Sequence, residues 1–359
     1  MNLEAMGWNP KWEEAFAPYR EKGYTAGRVA LEHKHMYRVY TEHGDVLAEI
    51  SGKMRHEALG RGDYPAVGDW LALSLRLDEG RATIHGVLPR FSKFSRKVAG
   101  AVVDEQIVAA NVDTVFLVNA LNQDFNLRRI ERYLTLAWES GANPVLVLSK
   151  ADLCADIEAA VAETESIAMG VPIHAVSHLD GTEALSPYVR KGQTVALIGS
   201  SGVGKSTLIN RLYGRDVQLT GDIRDGDDRG KHTTTHRELV MLPDGGLLID
   251  TPGMRELQLW DADEGMNASF QDVEELAQQC FYQDCRHDKE PNCAVKSALL
   301  DGSLNRSRYD NYLKLQRELA YLARKESKAL KSAEKDKWKK LSQAGQSAAL
   351  NKRYERPDT

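Results

Sequence analysis

Four cysteines in 359 residues are too few for a disulfide framework, and no basic start followed by an apolar core and cleavage site marks a secretory leader. A disulfide-stapled extracellular class is thereby excluded, and a reducing, cytoplasmic setting is expected. No apolar run approaches the roughly 20 residues that a membrane-spanning helix needs, so no membrane partner is expected. No heptad seam is long enough for a coiled coil, which points to a monomer. Charge of one sign is also lacking. A net of −5 names no partner by itself.

What is present begins with a phosphate-binding pattern. Gly199, Ser200, Ser201, Gly202, Val203, Gly204, Lys205 and Ser206 satisfy G-x-x-x-x-G-K-[ST] without a gap, and Thr207 follows. Val195 to Ile198 reads as a short buried strand and Ser206 to Leu212 as the start of a helix. The glycines let the backbone curl so that successive N–H groups face phosphate oxygens, and the helix N-terminus adds its positive dipole end. Lys205 would reach the β- and γ-phosphates, and the Ser206 hydroxyl would ligate Mg²⁺.

Downstream, Gly246 to Asp250 reads as a buried strand ending on a carboxylate, followed by Thr251-Pro252-Gly253. Asp250 would hold Mg²⁺ through water, and the Gly253 N–H would sense a γ-phosphate. Between loop and strand, Gly221 to Asp228 and Arg229 to His236 are polar and lack apolar periodicity, as a switch segment would. A threonine there would complete the Mg²⁺ shell, with Thr233, Thr234 and Thr235 all open to the role. Met254 stands where a Ras-like protein carries its water-orienting glutamine. His232 and His236 are the nearest substitutes, and His232 is the chosen candidate because an imidazole can orient or deprotonate water near neutral pH.

A base-reading element, Ser149-Lys150-Ala151-Asp152, follows the apolar run Pro144 to Leu148. The Asp152 carboxylate can accept from N1–H and N2–H of guanine, a pair that adenine does not offer, and the Lys150 stem can pack along the base plane. GTP is therefore expected over ATP. Ser149 replaces the usual asparagine, whose amide contacts the base and braces the phosphate loop; one short hydroxyl is expected to weaken guanine affinity. Ser177, after Pro172 to Val176, is a candidate backbone contact to the base edge. This reader precedes the phosphate loop by about fifty residues. The chain thus runs base reader, phosphate loop, switches, whereas Ras-like chains run phosphate loop, switches, base reader.

Three of the four cysteines cluster as Cys280-x4-Cys285-x-His287-x5-Cys293 in a polar stretch. Three thiolates and an imidazole make a complete tetrahedral set for one structural Zn²⁺ and leave no open coordination position. Cys154 stands apart as an ordinary thiol. From Leu304 onward, 15 Lys and Arg face 7 Asp and Glu, a local net of +8. Tyr309, Tyr312, Leu313, Leu319, Ala320 and Ala323 suggest a helical apolar stripe with Leu315 and Leu322 on its flank, followed by a lysine-rich stretch suited to nucleic-acid phosphate.

The first hundred residues differ in texture. Gly27 to Ala30, Met36 to Tyr40, Gly44 to Ile50, Gly68 to Leu73 and Ala82 to Leu88 alternate like short strands, and five of them fit a small closed barrel, read as an OB-fold. Arg55, Arg61, Arg90, Lys93, Arg96 and Lys97 would form a basic edge. Residues before about 22 read as an amphipathic or disordered leader.

Together these features resemble the circularly permuted ribosomal GTPases of the RsgA (YjeQ) type. The residues carrying the likeness are Arg61 to Trp70, Val87 to Arg90, Ser149 to Asp152, Gly199 to Ser206, His232 to Thr235, Asp250 to Gly253 and the Cys280/Cys285/His287/Cys293 set. The resemblance implies a multidomain α/β chain. It would comprise a leader (1–22), an N-terminal OB-fold β-barrel (23–100), a central circularly permuted P-loop GTPase α/β domain (105–265) and a C-terminal zinc-binding α-helical domain with a basic tail (266–359). It further implies a GTPase that binds the small ribosomal subunit and its 16S rRNA late in maturation and is stimulated by that subunit, with other assembly factors as further partners. His232 would act on water, and Thr234 would be the Mg²⁺-sensing threonine. Two alternatives stand beside it: a nucleotide-sensing RNA-binding protein with negligible turnover, which Met254 favours, and a P-loop ATPase or kinase, which Asp152 opposes.

Overall fold

The computed structural model describes residues 2–33, 36–98, 104–177, 180, 182–214, 237–250 and 263–324. Five strands near the N-terminus close on themselves: β1 (Thr25–His33), β2 (Met36–Thr41), β3 (Gly44–Ile50), β4 (Trp70–Arg76) and β5 (Arg81–Val87). They pair in the order β1-β2-β3-β5-β4, with β3 and β5 parallel and β4 returning to β1. Alternation dictates the closure. Along β3 every second residue from Val46 is buried, and Val46, Ala48 and Ile50 meet Val29, Tyr37, Val39, Leu71, Leu73 and Ile84 inside. All five expected strands are present.

The segment before the barrel is ordered and amphipathic. Helix α1 (Pro10–Arg20) is capped by the Asn9 side chain, and Met6, Trp12 and Phe16 are buried. The Trp8 and Trp12 rings lie 4.8 and 6.3 Å from that of Trp70 on the barrel. A short helix α2 (Gly52–Glu57) fills the β3–β4 connection.

One expected member of the basic edge is half-buried and bound by an internal carboxylate instead. The Arg90 guanidinium is bound by the buried Asp69 carboxylate at 2.7–2.8 Å and donates to the Gly62 and Tyr64 carbonyls. It therefore knots the Arg61 to Trp70 loop and is consumed there. Lys93 pairs with Glu105 at 2.9 Å, and Arg96 donates to Gln106. Both contacts run between the antiparallel strands β6 (Lys93–Val98) and β7 (Asp104–Ala110), so the expected boundary between residues 100 and 105 falls within a paired unit. Gly68, at φ 94°, lies where any Cβ would sit 2.1 Å from the Ala110 carbonyl oxygen, so only glycine lets the barrel loop approach β7 this closely.

The nucleotide domain is built on β8 (Thr114–Ala120), β9 (Asn143–Ser149), β10 (Ile173–Ala175), β11 (Thr194–Ile198), β12 (Glu238–Met241) and β13 (Leu247–Asp250). Their order is β10-β9-β8-β11-β13-β12, parallel except for β12. Helices α3 (Leu127–Ser140), α4 (Ile157–Glu165) and α5 (Lys205–Tyr213) connect or follow these strands. β8 is buried at all seven positions, as a central parallel strand must be. The free edge of β12 meets the barrel: Leu31 pairs with Glu238, Arg38 forms an ion pair with Glu238, and the Tyr40 hydroxyl donates to the Leu239 carbonyl. Among the described residues no helix is long and apolar enough to cross a membrane.

The C-terminal part is helical: α6 (Asp263–Ser269), α7 (Gln271–Gln278), α8 (Ala294–Asp301) and a last helix, α9, over residues 306–324. The buried face of α9 keeps Tyr309 and Tyr312 of the expected apolar stripe, with Leu313 and Leu319 half-buried against the core, but adds polar residues and loses the last two members. Arg308, Tyr309, Asn311, Tyr312 and Leu315 are buried, whereas Ala320 and Ala323 are exposed. A polar joint explains the shift. Arg308 donates to Glu131 of α3 at 2.8 Å, to Asp272 of α7 at 2.7 Å and to the Ser269 carbonyl at 2.8 Å, and its guanidinium lies 4.8 Å from the Phe270 ring centre. Asn311 donates to the same Glu131 carboxylate, and Arg132 grips Glu318 with two bonds of 2.7 and 2.9 Å. The lysine-rich residues after 324 lie outside the described part of the chain.

Burial raises the Glu131 pKa above the ordinary carboxylate range, and Arg308 and Asn311 oppose that shift. Arg308→Met leaves this buried carboxylate without its cation and is expected to cost about 3–5 kcal/mol near neutral pH. Charged Glu131 is the penalised form, so the deficit should shrink as pH falls and the carboxyl protonates. Denaturant unfolding of both proteins at pH 8 and pH 5.5 checks this.

Candidate nucleotide cleft and metal centre

The phosphate loop joins β11 to α5, leaving the carboxyl edge of the central strand. Gly202 and Gly204 adopt φ of 75° and 95°, which turns the loop back onto the helix start. No described side chain caps α5 at Gly204, so the first-turn N–H groups have no side-chain acceptor there. Lys205 Nζ donates to the Gly199 and Ser200 carbonyls, both at 2.7 Å. Its ammonium is thus held over the loop, where phosphate oxygens would compete for the same protons. Ser206 and Thr207 occupy the first turn of α5.

The base-reading element lies one strand pair away. β9 ends at Ser149, which pairs with Ala120 of β8, and the Ser149 hydroxyl donates to the Val203 carbonyl of the phosphate loop at 2.6 Å. The serine therefore keeps the bracing half of the role expected of an asparagine. Lys150 follows at φ 56°, turning the chain so that Asp152 stands exposed on the next short turn. The Ser177 hydroxyl donates to Asp180 at 2.7 Å and closes the loop after β10.

These separate segments converge. A cleft of about 110 Å³ is lined by Ser149, Lys150, Val176, Ser177, Thr182, Gly204, Thr207, Leu208 and Arg211. Base reader, β10 loop and phosphate helix thus share one space. Two of its features had no expectation attached. Arg211 is one helical turn after Thr207 on α5, a spacing visible in the sequence once the helix is accepted, and it donates to the Ser177 carbonyl at 3.3 Å. Beside the cleft, the Tyr133 hydroxyl of α3 lies 3.5 Å from Ser200 Oγ, and no local pattern announces that contact. Asp250 ends β13 beside β11. His232, Thr233, Thr234, Thr235, His236, Gly253 and Met254 lie outside the described residues.

In the C-terminal module the ligand atoms of Cys280, Cys285, His287 and Cys293 all lie within 4.8 Å of one another. Cys280 Sγ is 3.5 Å from His287 Nδ1 and 3.8 Å from Cys293 Sγ, and His287 Nδ1 is 3.3 Å from Cys293 Sγ. Zn–S bonds of about 2.3 Å and Zn–N bonds of about 2.0 Å at tetrahedral angles require edges of roughly 3.5–3.8 Å. The three edges among Cys280, His287 and Cys293 match that geometry closely, and Cys285 Sγ, within 4.8 Å of the other three donors, is the fourth ligand such an ion would take. Cys293 also caps α8 by accepting from the Lys296 N–H, which ties the ligand set to the helix.

Comparison with known proteins follows the same lines. The RsgA GTPase family model matches residues 87–260. An ABC transporter model matches residues 182–346, a span that shares the phosphate loop but omits the base reader. A relative from Opitutus terrae, named small ribosomal subunit biogenesis GTPase RsgA, is 49% identical over 96% of this chain and 96% of its own. One from Oceanobacillus iheyensis, small ribosomal subunit biogenesis GTPase RsgA 1, is 48% identical over 92% of this chain and 97% of its own. Among solved structures, YjeQ from Thermotoga maritima aligns with a TM-score of 0.61 at 31% identity, covering 83% of this chain and 99% of that one. YloQ, described as a circularly permuted GTPase, aligns at 0.60 and 25%, covering 83% and 95%. With near-half identity along almost the whole of both chains, this chain belongs to the RsgA GTPase family.

Proposed function

We propose that this chain binds GTP in the cleft, hydrolyses it to GDP and phosphate, and acts on the small ribosomal subunit during its late maturation, with the subunit accelerating turnover. The observation that carries this reading is the convergence of Ser149, Lys150, Ser177, Gly204 and Thr207 on one cleft from segments in permuted order. The names of the relatives supply the ribosomal side.

The roles follow from position. Loop N–H groups and Lys205 hold the β- and γ-phosphates, and Asp152 selects guanine. Ser206 and Thr234 would ligate Mg²⁺ and Asp250 would hold it through water; when bound, the ion would neutralise charge on the transferring phosphoryl group. His232 orients the attacking water, and the Gly253 N–H registers the γ-phosphate. In sequence the chain next enters α6, which packs against α3 and α7, so a nucleotide-dependent change after β13 would be passed toward the C-terminal helices. GTP would favour an arrangement gripping 16S rRNA through barrel, zinc module and basic tail, and hydrolysis would release it. The zinc is structural. The protein works as a cytoplasmic monomer.

GTP hydrolysis measured with and without purified small subunits is expected to rise strongly with them, to fail with ATP, and to disappear in Lys205→Ala. GTP binding without stimulation would instead favour a sensor with negligible turnover. His232→Ala should retain GTP affinity and lose about a hundredfold of the stimulated rate; an unchanged rate would remove His232 from the mechanism. Elemental analysis should find one zinc per chain. Cys285→Ser should lose it and melt at a lower temperature.

A further inference from the structure

Guanine presents two acceptors, O6 and N7, on one edge, where adenine presents N7 and an N6 amino donor. A protein donor at this edge separates the two bases independently of anything Asp152 does at N1 and N2. In the base-reading element of this chain, the position that would supply that donor is Ser149. A serine hydroxyl has one hydrogen to give. Here Ser149 Oγ lies 2.6 Å from the Val203 carbonyl oxygen and 3.3 Å from that of Asn119, both of which can only accept. The hydrogen is therefore spent on bracing the phosphate loop, inside a side chain that is buried. The base edge must find its donor elsewhere.

The cleft contains a suitable group on another element, α5. Arg211 lines it together with Ser149, Lys150, Ser177 and Thr207, and its Nη1 donates to the Ser177 carbonyl at 3.3 Å. That bond anchors the guanidinium to the loop after β10. A guanidinium carries five N–H donors in a planar fork, more than one carbonyl can take. Lys150 also lines the cleft, but an ammonium is a compact point charge, whereas the fork matches two neighbouring acceptors on one base edge. Arg211 further shares α5 with Lys205, Ser206 and Thr207, so base and phosphate contacts would be set by a single rigid helix.

We propose that Arg211 is a specificity-determining residue that donates to the O6/N7 edge of guanine, taking over the base contact that Ser149 has given up. This rests on the cleft being the guanine site described above. The predicted division of labour is that Ser149 holds the phosphate loop, Asp152 reads N1 and N2, and Arg211 reads the opposite edge.

The test is equilibrium binding of GTP, ATP, 7-deaza-GTP, which lacks the N7 acceptor, and 6-thio-GTP, whose sulfur is a poor acceptor at position 6. Full-length protein is compared with Arg211→Met and Arg211→Lys. The unsubstituted protein should bind at least one analogue about tenfold more weakly than GTP. Arg211→Met should bind GTP about as weakly as that analogue, erasing the difference, and Arg211→Lys should retain part of it. Each ratio is taken within one variant, so a general loss of folded protein cancels. Discrimination that persists undiminished in Arg211→Met, or is absent from the unsubstituted protein, overturns the proposal. Equal affinity of the unsubstituted protein for GTP and ATP would instead overturn the guanine reading itself.

Discussion

Parallel pairing of β11 with β8 on one side and β13 on the other is the constraint on which the site depends. It places the ends of β9, β10, β11 and β13 on a common carboxyl edge, where ligands of open α/β sheets gather. Ladder hydrogen bonds join whichever strands lie side by side, whatever the chain order. A base reader that comes first in the sequence can therefore sit where an unpermuted protein puts one that comes last. What the permutation changes is the connection: the chain leaves β13 and the expected switch turn toward α6 and the zinc module.

Arginines serve as the joints between the parts. Arg28 is buried in the barrel wall and donates to the carbonyls of Met6, Gly68 and Asn111, so one guanidinium links the N-terminal segment, the barrel loop and the start of the nucleotide domain. Burial pulls its pKa down to about 10, which still leaves it charged at neutral pH. Arg308 performs the corresponding task between α3 and the C-terminal helices. Such groups are costly to bury and specific in geometry, because a fork of donors is satisfied in few arrangements. α3 is thereby held to the zinc module at Glu131 and Arg132 while Tyr133, the next residue, approaches the phosphate loop.

Several elements were legible because their signals are local. The five barrel strands, the phosphate loop and the zinc ligands each depend on alternation, glycine placement or ligand spacing within a short window. The errors arose where a side chain's partner is remote in sequence. Arg90 reads as a surface cation until Asp69 is seen to bind it, and the polar Arg308 and Asn311, which no apolar stripe includes, are buried on α9 by partners on α3 and α7. Ser149 looked like a simple loss relative to asparagine. Its hydroxyl is in fact bonded to a loop residue far along the chain.

The sequence by itself determined the inventory: which backbone can curl as a glycine loop at a helix start, which four side chains could hold a metal ion, and in what order reader and loop occur. These follow from covalent neighbours, whose spacing folding cannot alter. Only the tertiary structure decided the allocation of donors. Arg90 and Arg308 went to internal carboxylates, Ser149 to the phosphate loop, and Arg211 to the wall of the cleft. A side chain's hydrogens go to the acceptors that packing brings within 3 Å or so, and packing is a property of the whole chain.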